Sequence, residues 1–263
     1  MSQTLAQVVA ALDGLYPVAL AEDWDAVGLV CGDPSAAVAK VLFAVDPVES
    51  VVDEALAGGF DLLVTHHPLY LRGTSSVAAD DPKGRVVHRL ISGGCGLLVA
   101  HTNADRATPG VSDALGALFG LQGVSPLDAG GLGRVGDLPV PTLFSELVEL
   151  AARILPATAW GVRGSGSPGR VISRLAVCGG AGDDTLRLAA LSGAQAFLTA
   201  DLRHHRSLEA PEGLALIDAA HWATEWPWLP AAAAALAKVV PVETAVSTTC
   251  TDPWTTASRS PSP

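Results

Sequence analysis

The alternation of strand-like and helix-like segments is the feature that most limits what this chain can fold into. Short runs rich in Val, Leu and other apolar residues predict buried strands at 41–46, 62–65, 97–101, 175–178, 196–199 and 214–218. They alternate with segments that carry Ala and Leu at helical spacing, at 50–57, 82–92, 111–118, 143–155 and 184–191. Such alternation is typical of α/β proteins, in which helices cover sheets. The sequence therefore predicts an α/β fold.

Two segments of the chain share the order glycine, strand and threonine. The first spans 59–65 and the second spans 193–199, and their initial glycines and final threonines coincide when the segments are aligned. A duplicated α/β unit would produce this correspondence. Two unrelated α/β units would share such features as well, so the pattern is compatible with a repeat without requiring one.

A stretch rich in Gly, Pro and Asp, 120–141, lies between the two halves and lacks any periodicity. Such composition predicts a boundary between domains. We therefore predict a first α/β repeat over 1–124 and a second over 125–263. The Ser- and Pro-rich end of the second, 255–263, is predicted to be a disordered tail.

Composition excludes several classes of function. The chain has 263 residues, 16 basic and 27 acidic, for a formal charge of −11, and no segment concentrates Lys or Arg. A nucleic-acid-binding surface needs such a concentration, so we predict none. No segment reaches the ~20 apolar residues that a membrane span requires, and no signal peptide is visible. The four cysteines form no C-x-x-C pair. These features predict a cytoplasmic protein with reduced thiols.

Imidazole and carboxylate groups follow three of the predicted strands. They are His66 and His67 after 62–65, His101 and Asp105 after 97–101, and His221 and Glu225 after 214–218. The carboxyl ends of strands are where open α/β sheets bind their ligands. Each group also has a simpler interpretation: two surface histidines in a loop, a helix cap or Asx turn, and a solvated i, i+4 pair on a helix. The occurrence of all three after strands favours a shared site.

Mixed imidazole and carboxylate ligands suit Zn, Fe, Mn or Ni and discriminate poorly among them. The candidates are too numerous for one tetrahedral zinc ion that keeps an open position. A site with two divalent metal ions, in which one carboxylate bridges, fits this number of ligands better. The sequence therefore predicts a dinuclear metal centre.

Five motifs in this order are similar to those of the NGG-interacting-factor-three-like family. They lie at 21–29 (AEDWDAVGL), 64–69 (VTHHPL), 101–105 (HTNAD), 199–205 (TADLRHH) and 218–225 (DAAHWATE), and Thr251-Asp252-Pro253-Trp254 follows near the end. Bacterial members of that family carry the name GTP cyclohydrolase I type 2 homologue. The chain resembles the short bacterial form of this family.

The resemblance implies a specific set of ligands. His66 and His221 would hold one ion, His67 and Asp105 would hold the other, and Glu225 would bridge them. It also implies two intertwined α/β repeats with mixed sheets and the metal site between them. The partner that it implies is the protein itself, as a homo-oligomer in the form of a toroidal hexamer.

Two functions of different classes remain open. The first is a metal-dependent hydrolase that acts on a nucleotide or another phosphorylated small molecule, since two neighbouring cations can activate water and stabilise a phosphoryl transition state. The physiological substrate stays unknown, because no phosphate-binding loop is present. The alternative is a non-catalytic, metal-binding or regulatory oligomeric assembly.

Four residues outside the ligand set have open roles. His101 is the candidate catalytic residue, a general acid or base, and its alternative is to orient Asp105. His205 is more typical of a packing or rim residue. Trp24 and Trp254 would either stack on an aromatic substrate or fill gaps between the repeats.

Overall fold

The computed structural model describes residues 3–258 of the chain. Strands in that range are β1 (Gln3–Thr4), β2 (Gly28–Cys31), β3 (Ala37–Val38), β4 (Lys40–Ala44), β5 (Leu62–Thr65), β6 (Gly96–Val99), β7 (Gln122–Ser125), β8 (Arg134–Leu143), β9 (Val162–Ser165), β10 (Val171–Ala181), β11 (Ala196–Ala200), β12 (Ala215–Ala219) and β13 (Glu243–Val246). The α-helices are α1 (Leu5–Leu15), α2 (Glu49–Ala57), α3 (Pro82–Ser92), α4 (Thr102–Arg106), α5 (Val111–Leu118), α6 (Phe144–Ile154), α7 (Leu186–Leu191), α8 (His204–Leu208), α9 (His221–Glu225) and α10 (Trp228–Val239). The α/β prediction is confirmed.

The chain forms two compact units. Among the described residues, the first comprises 3–110 and Trp228–Thr251, and the second comprises Val111–Pro227 and 252–258. These bounds differ from the predicted division at residue 124, because α10 and β13 belong to the first unit. There β13 pairs in parallel with β4, and α10 contacts both strands.

The first unit contains a five-stranded sheet in the order β13-β4-β5-β6-β2. Its first four strands are parallel, and β2 is antiparallel to β6. The residues of β5 and β6 are buried throughout, which explains their continuous apolar sequence. Asp81 starts α3 by accepting hydrogen bonds from two main-chain N–H groups, and Pro82 takes the first helical position. Helices α2 and α3 pack their apolar faces on this sheet.

The second unit contains a six-stranded sheet in the order β7-β8-β10-β11-β12-β9. Strands β10, β11 and β12 are parallel, while β8 and β9 run antiparallel to their neighbours. A core of buried side chains covers one face, with Phe197 of β11 and Leu186 of α7 among its members. The sheets are therefore mixed, as predicted.

Both units repeat one arrangement of strands. In the first, β4-β5-β6 are parallel and β2, which precedes them in sequence, runs antiparallel beside β6. In the second, β10-β11-β12 are parallel and β9, which precedes them, runs antiparallel beside β12. The glycine–strand–threonine segments lie at equivalent positions, because Thr65 is in β5 and Thr199 is in β11. This shared topology supports the two-repeat interpretation.

Three further predictions concern the Gly- and Pro-rich stretch, the tail and membrane-spanning segments. The stretch 120–141, where a boundary between domains was predicted, includes β7 and most of β8, which pair within one sheet. Of the predicted tail, 255–258 has no regular secondary structure, and 259–263 lies outside the described residues. Among the described helices, none combines the length and the apolar character that crossing a membrane would require.

Candidate metal centre

His66 and His67 come directly after β5, where the chain leaves the first unit's sheet. The main-chain N–H of His66 donates to the carbonyl of Ala44 at 3.1 Å, and that of His67 donates to Val45 at 2.9 Å. The two rings nevertheless lie side by side, with centroids 5.1 Å apart. Successive side chains of an ideal strand would point to opposite faces, so the turn at this position brings both imidazoles to one site.

His101 completes a cluster of three imidazoles in the first unit. It follows β6, the strand next to β5, and one ring nitrogen from each of His66, His67 and His101 lies within 4.8 Å of the others. Asp105 sits on α4, with Oδ1 3.7 Å from Nε2 of His66. Three nitrogens and a carboxylate at this spacing form a donor set that fits a transition-metal ion.

Nδ1 of each imidazole in this cluster is hydrogen-bonded to an oxygen atom. Nδ1 of His66 is 3.0 Å from the carbonyl of Ala100, and Nδ1 of His67 is 2.7 Å from Oδ1 of Asp46. Nδ1 of His101 is 2.9 Å from Oδ1 of Asp25. Since a carbonyl or a carboxylate only accepts, each Nδ1 donates, and the lone pair of each neutral ring is on Nε2. Metal-binding histidines are oriented in this way.

The second unit holds a smaller cluster on α9. His221 and Glu225 are the first and last residues of this helix, and Nε2 of the histidine is 2.9 Å from Oε1 of the carboxylate. Nδ1 of His221 is 2.7 Å from Oδ2 of Asp201, which follows β11. Glu225 is buried with only 3% of its surface exposed. This pair therefore shows the same orientation, an imidazole held at Nδ1 with Nε2 beside a carboxylate.

The charges around His221 favour a cation. The negative charge of Glu225 is the main cause that raises the pKa of His221 to about 11; burial opposes the rise, and Asp201 adds to it. In the metal-free chain these carboxylates keep the imidazole of His221 protonated at neutral pH. A divalent ion would replace that proton, because a metal-binding imidazole must be neutral.

His101 has the opposite electrostatic environment. Burial, together with the neighbouring His66, lowers the pKa of His101 to about 4, although Asp25 opposes this. Burial raises the pKa of Asp25, but hydrogen bonds from His101 and Thr102 outweigh it and hold that pKa below the ordinary value. His101 is therefore neutral at neutral pH and paired with a carboxylate.

Sequence reasoning missed four residues that shape the two clusters. They are Asp25, Asp46 and Asp201, which orient histidine rings, and Gly180 of β10. A Cβ on Gly180 would lie 2.5 Å from Oε1 of Glu225 and 3.1 Å from Nε2 of His221. Asp46 and Asp201 each follow a buried strand closely, and this position at a strand end is the sequence signal that marks them.

The remaining candidates are exposed side chains outside the proposed ligand set. His205 is exposed on α8 and its ring contacts that of His204. Trp24 is 58% exposed, with its ring centroid 6.1 Å from that of His101, and Trp254 is 60% exposed against Trp160. Side chains that are more than half exposed are not typical gap fillers, so the stacking role of both tryptophans stays a prediction.

Replacing Asp46 by Asn should weaken metal binding about 10- to 100-fold, the usual effect of losing a carboxylate that orients a metal-binding histidine. The amide removes the negative charge that makes the His67 ring a better donor, and it no longer fixes the position of the ring proton. Titration of metal-free protein with Mn²⁺ or Co²⁺ measures the change. Asp80→Asn, an exposed substitution in the same unit, is the control; equal affinity in the two variants would contradict the assignment.

Comparison with known proteins decides the family. Residues 3–253 match the model of the family Duf34/NIF3 (NGG1p interacting factor 3). The chain belongs to this family. A Streptomyces coelicolor protein named GTP cyclohydrolase 1 type 2 homolog is 53% identical, over 95% of this chain and 93% of its own length. A Mycobacterium leprae protein with the same name is 36% identical, over 98% and 97% of the two chains.

A solved structure supports the same fold for this Duf34/NIF3 chain. It is that of a Bacillus cereus protein related to NIF3, with a TM-score of 0.89 at 21% identity, covering 97% of this chain and 99% of that one. The family resemblance inferred from the five motifs is thereby confirmed.

Proposed function

We propose that this chain binds two divalent metal ions and uses them for hydrolysis. His66 and His221 would hold one ion, His67 and Asp105 the other, and Glu225 would bridge them. The observation that carries the proposal is the orientation of the histidines: in every ring of the two clusters Nδ1 faces an oxygen acceptor, which leaves Nε2 as the ligand atom. The imidazole and carboxylate donors suit Zn, Fe, Mn or Ni.

Bound together, two such ions would supply an activated water and stabilise negative charge on a phosphoryl or ring-opening transition state. The substrate that we propose is a nucleotide or another phosphorylated small molecule. The name GTP cyclohydrolase 1 type 2 homolog, carried by the relatives, supports a nucleotide as the first compound to test.

His101 is the residue that we propose to move a proton in this reaction. Nδ1 donates to Asp25, so a proton taken up at Nε2 would create an imidazolium that the Asp25 carboxylate stabilises. The half-buried ring is neutral at neutral pH, so its Nε2 lone pair is available to accept a proton. Its nitrogen also lies within reach of the other two imidazoles, so direct metal binding by His101 is the competing role.

A single substitution separates these two roles. If His101 moves a proton, His101→Gln should leave the metal content unchanged and lower turnover about 10²- to 10⁴-fold. Elemental analysis measures the metal, and a panel of nucleotides and phosphoesters that includes GTP measures the turnover. A fall in metal content in this variant would make His101 a ligand and contradict the acid–base role.

The panel also tests the hydrolase proposal itself. A fully metal-loaded protein that converts no member of the panel would favour the alternative, a non-catalytic metal-binding or regulatory assembly. The self-association into a toroidal homohexamer and the cytoplasmic location stay predictions.

A further inference from the structure

A cleft of about 480 Å³ in the first unit opens beside His67. Three segments line it: the start of α2, the turn after β5 and the start of α3. Its apolar walls are Pro47, Val48, Pro68, Leu69, Pro82 and Val86. A volume of this size suits a small organic ligand, and binding pockets combine such apolar walls with a few polar groups.

The charges in the cleft leave one cation available. Asp46 faces His67 through Oδ1 and accepts from the Thr251 hydroxyl through Oδ2. Glu49 is bound by the guanidinium of Arg85 at 3.1 Å. Lys83 is exposed, and its ammonium lies 5.8 Å from the centre of the Tyr70 ring without an ion pair among the described residues. The two carboxylates are thus paired, whereas Lys83 has no carboxylate partner among the described residues.

We propose that this cleft binds the ring or other apolar body of an organic anion, with Lys83 pairing with the negative group. The inference rests on the proposed function, because it makes the cleft the substrate subsite next to the metal ligand His67. It narrows the substrate class to anions that carry an apolar or aromatic part. Inorganic phosphate and other small anions lack the part that the apolar walls would contact.

Fluorescence titration with naphthalene-2-sulfonate tests the proposal, since this anion is not hydrolysed and is a weak metal ligand. We expect it to bind more tightly than neutral naphthalene-2-methanol, and we expect sulfate to compete poorly. Lys83→Glu should weaken binding of the sulfonate about tenfold, because attraction by an exposed charge becomes repulsion. The neutral probe should change less than about twofold.

Matched variants keep the result interpretable. Lys238→Glu makes the same charge change at an exposed position of α10, outside the cleft, and should have little effect. A glutamate at position 83 lies in the first turn of α3, where a negative charge favours the helix, so the fold should persist. Val48 is 40% exposed, and Val48→Asp should weaken the binding of both probes without unfolding the chain.

Three results would overturn the proposal: no binding of naphthalene-2-sulfonate, equal binding in wild type and Lys83→Glu, or an equal loss in Lys238→Glu. Metal content is measured on the same samples, and each titration is repeated after chelation. A Lys83 effect in protein that holds no metal as purified, or that converts no member of the panel when fully metal-loaded, would leave the cleft standing while the hydrolase proposal fails. Full metal loading without a Lys83 effect would refute the cleft alone.

Discussion

Glu225→Gln should lower the metal content of the purified protein from about two ions per chain to fewer than one. The substitution keeps the shape of the side chain but removes its charge. Glu225 is buried, and its Oε1 lies 2.9 Å from Nε2 of His221. Because the carboxylate is proposed to contact both ions, its loss should weaken binding more than the roughly 100-fold limit for an orienting residue. Elemental analysis and titration with Co²⁺ measure the change.

Glu209→Gln is the matched control, since it is the same substitution at an exposed position of the same unit. His221→Ala should repeat the loss of metal, whereas His88→Gln, at an exposed histidine of α3, should not. Thermal unfolding in the presence of a chelator shows whether the variants fold as well as metal-free wild type. Wild-type metal content in Glu225→Gln would refute the bridging role.

Six of the seven parallel strands were predictable from sequence because the apolar runs that mark them are buried, whereas the seventh, β13, is only partly buried. Each of the six apolar runs contains or overlaps a strand of one of the two sheets, and 62–65 coincides with β5. The antiparallel strands β2, β7, β8 and β9 each contain a glycine, and none of them forms a long continuous apolar run, so the sequence pattern did not indicate them. Strand β8 even contains Pro139 and Pro141, which its irregular pairing with β10 accommodates between Thr142 and Asp137.

The long-range order of the chain was harder to predict. Strand β13 pairs with β4, and this pairing places Glu243 opposite Lys40. Nothing in the local sequence of either strand specifies the pairing. The division at residue 124 followed composition alone. A Gly- and Pro-rich stretch predicts a break in regular structure, but here it includes the edge strand β7 and most of its neighbour β8.

The difficulty of predicting long-range contacts also explains which residues of the candidate site were predictable. Motifs at strand ends identified the proposed ligands because those residues lie close together in sequence. The residues that orient them do not: Asp201 precedes His221 by 20 positions, and Asp46 precedes His67 by 21. Only the pairing of β4 with β5, and of β11 with β12, brings such groups to one edge of a sheet. Ligand type is therefore a local property of this sequence, whereas ligand orientation is a property of its fold.

Gly180→Ala should remove metal binding at the second cluster while it leaves the fold largely intact. The backbone at Gly180 has φ +66°, and it is held on both sides: its N–H donates to the Thr224 hydroxyl at 2.9 Å, and its carbonyl accepts from the Thr199 hydroxyl at 2.9 Å. The backbone therefore resists a shift. The new methyl group would meet Oε1 of Glu225 at 2.5 Å, so the carboxylate must move instead.

Gly161→Ala isolates the backbone contribution to this effect. Gly161 has φ +69° in the same unit, and a Cβ there would meet no atom within 4 Å. Both variants should lose about 1 kcal/mol of unfolding free energy, because alanine disfavours a positive φ. Only Gly180→Ala should also lose metal, to the same extent as we expect for Glu225→Gln, because the displaced carboxylate no longer faces Nε2 of His221. Denaturant unfolding after chelation and Co²⁺ titration measure the two effects separately. Unchanged Co²⁺ affinity in Gly180→Ala would mean that the carboxylate position beside Gly180 does not determine metal binding.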